Sequence, residues 1–497
     1  MNYLKYLLIL LIVSPLKGQS LEIIGQDSIG FEKETIPVRK RPLLAASEIV
    51  GINIGVWAFD RYAIRGSYAY ISLNSMQRNL REGFHWDNDK FATNLFFHPY
   101  HGSLYYNSAR SNGLNFNQSA LFTVGGSLMW ELLMEKELPS TNDWIMTGIG
   151  GIAMGEIFFR TSDLILDNSA HGSNRLGREI AGFIIAPGRG LTRILTGEAW
   201  KITSARGKRF QSPNVEFSLA TGIKTLELRN MDEETFDEST GFVLNGQMEY
   251  GDLFESDNQP FSYFSANLDL NIQKNQPLIG QFNFMGRLIG KTVFENANNQ
   301  LYLGAYYHFD YYDSDSLAYA QKVRGTKTPY VVGTPAAVGG GLVYEGNFFN
   351  NRFKMKSQTH ANAVLLGASL SDYYRGDERN YNFGSGYAIK ELLCFSYKNK
   401  FSFAFNTFYS LLLTWKGYDR NTDFTNFTPT DYEMLNVQGD KSKAHYTILE
   451  SILGYDINPR WGICYQRFDF FRKTNYAYLP DFKTTTSDER VIVRYKF

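Results

Sequence analysis

A strict period-two alternation that recurs through the carboxy-terminal half constrains this chain more than any other feature. In FSANLDLNIQ, residues 264–273, apolar and polar side chains alternate without error. A strand built from it has one oily face and one wet face. Leu301, Leu303, Ala305, Tyr307, Phe309 and Tyr311 form a second apolar stripe, interleaved with Tyr302, Gly304, Tyr306, His308, Asp310 and Tyr312. Segments of about ten residues can cross a bilayer when tilted, whereas soluble strands average about five or six.

Further segments of this kind at 211–228, 241–251, 279–294, 338–349, 352–370, 385–397, 401–416, 443–455, 460–472 and 488–497 bring the total to about 12, and a closed bacterial barrel requires an even count. The connections carry an independent signal. Those at 295–299, 350–351, 398–400 and 456–459 are tight, whereas 313–337, 371–384, 417–442 and 473–487 are long and polar. Tight periplasmic turns opposite long extracellular loops are the asymmetry of an outer-membrane barrel. The connections 252–260 and 274–278 fit this alternation poorly.

Composition agrees. Tyr 32, Phe 38 and Gly 44 accompany a mean hydropathy of only -0.29, which suits strands with a single greasy face. Lys+Arg 50 against Asp+Glu 50 leaves no basic excess for nucleic acid and no steering field for a ligand of either sign. The two cysteines, Cys394 and Cys464, lie in strand-like segments well apart, and nothing in the sequence says that they meet.

MNYLKYLLILLIVSPLKGQS, residues 1–20, has an early Lys5, a short apolar run and a small-residue exit at Gly18. It reads as a secretory signal peptide over 1–18, without the cysteine that a lipoprotein anchor needs. A polar tether follows over 19–42. The predicted organisation is completed by a helical membrane-associated domain over 43–204 and a barrel over 205–497.

In that second part the period changes, with helix-length apolar segments at 43–61, 89–111, 118–138 and 142–167. Pro139 separates two of them, with Thr141 or Asn142 expected to cap the next helix. Gly148, Gly150, Gly151 and Gly155 would let two helix backbones approach closely. Polar residues punctuate these segments: Asn94, His98, Tyr105 and Arg110; Glu131 and Glu135 one turn apart; Glu156, Arg160 and Asp163 on one face. Charges buried among apolar side chains are either partnered or functional. One reading is an internal ion-pair network, for example Glu156 with Arg160 and Arg110 with Glu131. A second is a site in which His98 is the general acid or base, Glu131 or Glu156 orients it and Arg110 holds an anion, and a third is simple exposure of these groups to solvent. His98 and His101 lack the further ligands of a recognisable metal site. No P-loop, nucleophile elbow or dinucleotide fingerprint is present, so neither metal nor cofactor is expected.

The terminal VIVRYKF places Val493, Tyr495 and Phe497 on one face and resembles the last strand of bacterial outer-membrane proteins, whose final aromatic residue is read by the barrel-assembly machinery. Trp86-Asp87-Asn88-Asp89, Asn94, His98-Pro99-Tyr100-His101-Gly102 and Tyr105 to Arg110, followed by Glu131, Asn142-Asp143 and Gly155-Glu156, resemble domain of unknown function 3943 over about residues 80–200, a family of uncharacterised exported proteins largely of Bacteroidetes and other Gram-negative bacteria. The resemblance implies a membrane-associated protein and supplies no activity.

A barrel of about 12 strands has a lumen too narrow for several helices, each about 10 Å across. The helical domain is therefore expected on the periplasmic side, at most one helix entering the lumen. Three functions follow: binding or translocation of a small or lipidic ligand behind a helical gate, a structural envelope role, or an enzyme acting on lipid or envelope polymer through His98, Arg110, Glu131 and Glu156. Lumen residues such as His308, Asp310 or Asp269 would matter to the first. Outer-membrane lipid and the assembly machinery are the expected partners.

Overall fold

The computed structural model describes residues 39–497 apart from 211–212, 231–234, 256–258, 318–327, 374–378, 423, 425–426, 429–430 and 432–434. The expected signal peptide and most of the tether lie outside the described residues. Twelve strands form one closed barrel: β1 Val215–Asn230, β2 Thr235–Tyr250, β3 Phe264–Ile272, β4 Ile279–Glu295, β5 Asn299–Asp313, β6 Val331–Phe348, β7 Phe353–Leu370, β8 Tyr381–Tyr397, β9 Phe401–Thr414, β10 Ser442–Asp456, β11 Trp461–Tyr476 and β12 Phe482–Lys496. Every pair is antiparallel, and β12 closes on β1 from Ser218 opposite Lys496 to Asn230 opposite Thr484. Closure satisfies the edge hydrogen bonds that an open sheet would leave bare.

The strands run further toward the long loops than the alternation predicts. β6 starts at Val331 rather than 338 although Pro335 lies inside it, because the pairing slips between Gly333 and Ala337 and that irregularity absorbs the missing donor. β12 starts at Phe482 in a polar run whose inward residues, Thr486 and Asp488, face a wet lumen and need no apolar pattern.

One side of the alternation faces out. Ile223, Ile389, Leu453, Ile463 and Val491 are exposed on the outer wall. At the tight-turn rim outward aromatics pair: Phe401 with Tyr455 (5.0 Å between centroids), Trp461 with Tyr495 (4.8 Å) and Phe217 with Phe497 (5.2 Å). The other side fills the lumen with polar groups.

The amino-terminal region forms α1 Pro42–Phe59, α2 Leu73–Glu82, α3 His98–Ser111, α4 Phe116–Met129, α5 Thr141–Ile145, α6 Gly151–Ile165, α7 Gly172–Ile185 and α8 Pro187–Leu195. Wide π-helical turns extend α1 (Asp60–Ile64), lead into α3 (Thr93–Phe97), extend α4 (Trp130–Met134) and join α5 to α6 (Met146–Gly150). The α4 start is set by Asn115 and Gln118, which accept each other's backbone N–H. The cap after Pro139 is Ser140, which accepts from Asp143 N at 3.1 Å, rather than Thr141 or Asn142.

The helices lie against the outside of the barrel, not over its periplasmic mouth, and among the described residues none enters the lumen. The apolar face of β3–β8 explains this. Phe282, Phe284, Tyr307, Phe309 and Tyr311 point outward and pack with Phe91, Leu95, Met146, Met154 and Ile157 in one core. Phe91 stacks on Tyr311 at 5.2 Å, and Phe116 stacks on Phe261 at 6.1 Å. The polar–apolar alternation of β5 thus serves a lumen on one side and a helix bundle on the other.

Helix-to-helix contact is closest where the glycines allow it. A Cβ on Gly102 of α3 would stand 1.9 Å from the Thr147 carbonyl oxygen, and one on Gly151 would stand 2.6 Å from Gly102 Cα. The α3–α6 crossing is backbone against backbone, as the spacing of Gly148, Gly150, Gly151 and Gly155 suggests.

Candidate functional site

Two polar regions lie in otherwise apolar surroundings. The first is the lumen. Toward the long loops it is closed by buried ion pairs among inward side chains: Arg490 Nη1 to Asp269 Oδ2 at 2.5 Å, Arg490 Nη2 to Asp488 Oδ2 at 2.9 Å and Lys224 Nζ to Asp488 Oδ2 at 3.0 Å. Asn245 donates to Asp269 and Lys224 donates to Asn271, so each charge is met more than once. Tyr330, from the chain entering β6, stacks on Phe470 at 4.0 Å and seals the same level with Tyr312, Phe408 and Tyr446. Below it a cavity of about 840 Å³ reaches the tight-turn rim at Pro459, Lys496 and Phe497.

Beside the cavity are buried polar atoms without partners, on His308 and His360, which line it, and on Asn362, which does not. Both ring nitrogens of His308, Nδ1 of His360 and both amide atoms of Asn362 have none, although these residues are only 1%, 3% and 3% exposed. The two imidazoles are 4.8 Å apart between centroids, on β5 and β7. They meet because β6 between them carries Gly339 and Gly341, where a Cβ would stand 2.4 Å from Asn362 Oδ1 and 2.1 Å from His360 Nδ1. Nearby Lys390 is bonded to Asp310 at 2.6 Å.

The second region is a seam inside the helical bundle, in three parts. Near the long-loop rim, Asn142 Nδ2 donates to Asp87 Oδ1 at 2.8 Å and to Asp143 Oδ1 at 2.8 Å, and Asn94 donates to Asp87 at 3.1 Å and to the barrel's Tyr381 hydroxyl at 2.6 Å. His98 Nδ1 is 3.2 Å from Thr147 Oγ1 and its Nε2 is 3.3 Å from Asp143 Oδ1. Midway, Tyr105 meets His101 Nε2 at 2.8 Å and donates to Asn53, while Glu135 accepts from the Trp130 indole at 2.6 Å. Near the tight-turn rim, Glu156 accepts from Arg110 at 2.8 and 2.9 Å, from Arg160 at 2.9 Å and from the Tyr106 hydroxyl at 2.7 Å. Asp163 binds Arg189 at 2.5 Å. Beyond the helices, Lys208 donates to the carbonyls of Leu164 and Leu166 at the end of α6, at 3.0 and 2.7 Å, and burial pulls its ammonium down to about 8. Asn94, Glu131 and Thr147 each sit in a π-helical turn, where the widened backbone turns side chains off the regular helical register.

Residues 83–188 match the family model described as Domain of unknown function (DUF3943). That segment holds most of the seam, from Asp87 through Glu156, Arg160 and Asp163 to the start of α8, while Asn53, Arg189 and Lys208 lie outside it. No curated protein matches the chain. Among solved structures, the NanC porin is 8% identical, covering 55% of this chain and 100% of its own at a TM-score of 0.27, and an outer membrane channel from Pseudomonas putida F1 is 8% identical, covering 58% and 96% at 0.29. KdgM porin in complex with disordered oligogalacturonate is 8% identical, covering 57% and 99% at 0.23. These likenesses are weak, and the barrel assignment rests on the strand pairing itself.

The four residues considered for catalysis do not form one site. Within the DUF3943 segment His98 keeps company with Thr147 and Asp143, whereas Arg110 lies with Glu156, and Thr147 and Glu156 are separated by about 13 Å along one helix. Glu131 accepts from Ser140 N at 2.8 Å and does not pair with Arg110, which takes Glu156 instead. The pairing of Glu156 with Arg160 is present as the i, i+4 spacing predicts. Thr147 and Asn53 went unread in the sequence, and Asp87 and Asn142 enter there only through the family resemblance and, for Asn142, as a cap, because none of them falls on the polar helix faces that periodicity exposes. His360, Asn362, Lys390, Lys224, Asp488 and Arg490 went unread as a set because inward residues on different strands share no sequence spacing. Their one linear signal is that each stands at a polar position of an alternating strand. Cys394 and Cys464 are free thiols on β8 and β11.

Proposed function

We propose that the protein is an outer-membrane β-barrel whose lumen takes up a small polar ligand from the periplasmic side and does not form an open pore. The observation that carries this reading is the blind cavity: about 840 Å³ of space meeting the tight-turn rim and ending beneath the Arg490–Asp488–Asp269–Lys224 belt. The outward apolar band and rim aromatics support the membrane setting. The unpartnered imidazole nitrogens of His308 and His360 at the cavity wall can donate and accept, and the nearby ammonium of Lys390 is already bonded to Asp310. Such a wall suits a neutral ligand bearing hydroxyl or amide groups, because leaving these groups buried and unmet costs about 1–3 kcal/mol each. The helices do not stand over the mouth, so no helical gate forms part of this reading. The outward Val493 and Tyr495 of β12, with Phe497 just after it, would be the face read by the assembly machinery.

A structural reading fits the Glu156 and Asp163 part of the helix seam better than a catalytic one, because these carboxylates pair with Arg110, Arg160 and Arg189 within the bundle. The lumen reading is tested by planar-bilayer recording of the purified full chain in concentrated KCl. No steady stepwise conductance is expected, and porin-like steps from the unmodified protein would overturn the blind-cavity reading.

A further inference from the structure

We infer that the helical bundle crosses the bilayer beside the barrel, its outer face covered by lipid hydrocarbon, so that the protein spans its membrane with helices and strands together. This rests on the outer-membrane reading of the barrel.

The two ends of the bundle touch opposite rims. At one end Trp86 packs on Trp415 at 6.4 Å and Arg379 donates to the Asp87 carbonyl at 2.7 Å, both partners belonging to long loops. At the other end Arg160 donates at 3.1 Å to the carbonyl of Pro260, in the connection between β2 and β3 at the tight-turn rim. A bundle that reaches both rims along the outer wall lies at the depth of the barrel's apolar band.

Its lengths fit that depth. The runs 42–64, 93–111, 116–134 and 141–165 are about 28–38 Å long at about 1.5 Å per residue, against a hydrocarbon core of about 30 Å. The first, Pro42–Ile64, has 23 residues and holds an 18-residue stretch with a mean hydropathy of 1.5.

Its polarity is inverted relative to a water-soluble bundle. α1 has one charged side chain, Glu48, and turns it inward to Thr192 at 2.6 Å and Asn112 at 3.0 Å. Leu43, Val50 and Ile54 are exposed on its other side, and Leu121 and Leu128 of α4 are exposed as well. Charges bracket the apolar run: Arg39, Lys40 and Arg41 before it, Asp60, Arg61 and Arg65 after it, with the Arg61 guanidinium 3.2 Å from the Tyr70 ring centroid. Cations and aromatics at the ends of a predominantly apolar span belong at the two membrane interfaces. The seam then has a physical role. Ionisable groups at bilayer depth are tolerated when they face a bundle interior and pair with one another, and Glu156 with Arg110 and Arg160 does so. Lipid is favoured over a protein partner because the exposed face is continuous with the barrel's own apolar band and offers no directed polar group to a specific surface.

The test uses the full chain with Cys394 and Cys464 replaced by serine, refolded into phosphatidylcholine/phosphatidylglycerol vesicles, each variant first checked for heat-modifiable mobility. Single nitroxide labels are placed at Ile54→Cys and Leu128→Cys on the bundle, Ile463→Cys on the barrel wall and Asn458→Cys at a turn, and their collisions with oxygen and a nickel chelate are compared. The inference expects both helix labels to behave as the label at 463 does, favouring oxygen, while the label at 458 favours nickel. Nickel-accessible helix labels beside an oxygen-accessible 463 would overturn it and leave the barrel in the membrane. A nickel-accessible 463 would sink the membrane reading itself. Should one helix variant fail to fold, Val50→Cys replaces it on the same face.

Discussion

Glu156 is held by two guanidiniums and a phenol, and its carboxylate bonds both Arg110 and Arg160. Glu156→Gln removes the charge while nearly conserving volume, leaving Arg110 and Arg160 as buried cations without a counterion. Breaking such a pair from one side costs about 3–5 kcal/mol. The variant should therefore lose its compact unboiled gel form at a clearly lower temperature than the unmodified chain, and an unchanged melting profile would contradict the pairing. Gly102 supplies a second residue-scale prediction. Gly102→Leu drives a side chain into the Thr147 carbonyl and should separate α3 from α6, seen as new protease cleavage between residues 98 and 165. Gly125, where a Cβ meets nothing within 4 Å, is the control: Gly125→Ala should be neutral or stabilising by about 0.5–1 kcal/mol, the helix-propensity gain.

At the scale of elements, the lumen belt joins strands that are distant in sequence. Arg490 of β12 reaches Asp269 of β3 across the barrel interior, with Lys224 of β1 and Asp488 completing the set. Arg490→Ala leaves two carboxylates with a single cation and removes the largest side chain of the belt. Channel recordings of this variant should show conductance steps that the unmodified barrel lacks, cation-selective because Asp269 and Asp488 remain. A silent variant would mean that the Tyr330–Phe470 layer alone closes the lumen. At the end of α6, Lys208→Met should loosen the last turn by about 1 kcal/mol through loss of charge-assisted bonds to three carbonyls, those of Asp163, Leu164 and Leu166, measurable as faster hydrogen exchange of amides near residue 165 with the barrel amides unchanged.

For the whole molecule, a closed barrel implies an unboiled band that migrates faster than the boiled one, in protein extracted from purified outer membranes. A single unshifted band from a soluble fraction would contradict the fold's proposed setting. The helices have their own consequence at this scale. Because Phe282, Phe284, Tyr307, Phe309 and Tyr311 of the outer wall are buried beneath them, helices and barrel share one core, and Gly102→Leu should lower barrel stability as well as helix order.

The strand half of the chain was largely legible. Inside and outside of a barrel differ in polarity, and a strand exposes its side chains to the two sides in strict turn, so FSANLDLNIQ and the stripe from Leu301 to Tyr311 record their environments one residue at a time. Loop lengths recorded which rim was which, and the glycines of α6 recorded a close crossing. The linear sequence did not reveal where the helices sit. An apolar stripe packed on helices and one packed on lipid have the same composition, so Tyr307, Phe309 and Tyr311 alone could not announce that a bundle covers them. The partners of Arg110, the split of His98 from Glu156, and the meeting of His308 with His360 over Gly339 and Gly341 are likewise products of tertiary structure. Each joins groups tens to hundreds of residues apart, and only the closing of the barrel and the crossing of the helices determine which side chains come within bonding distance.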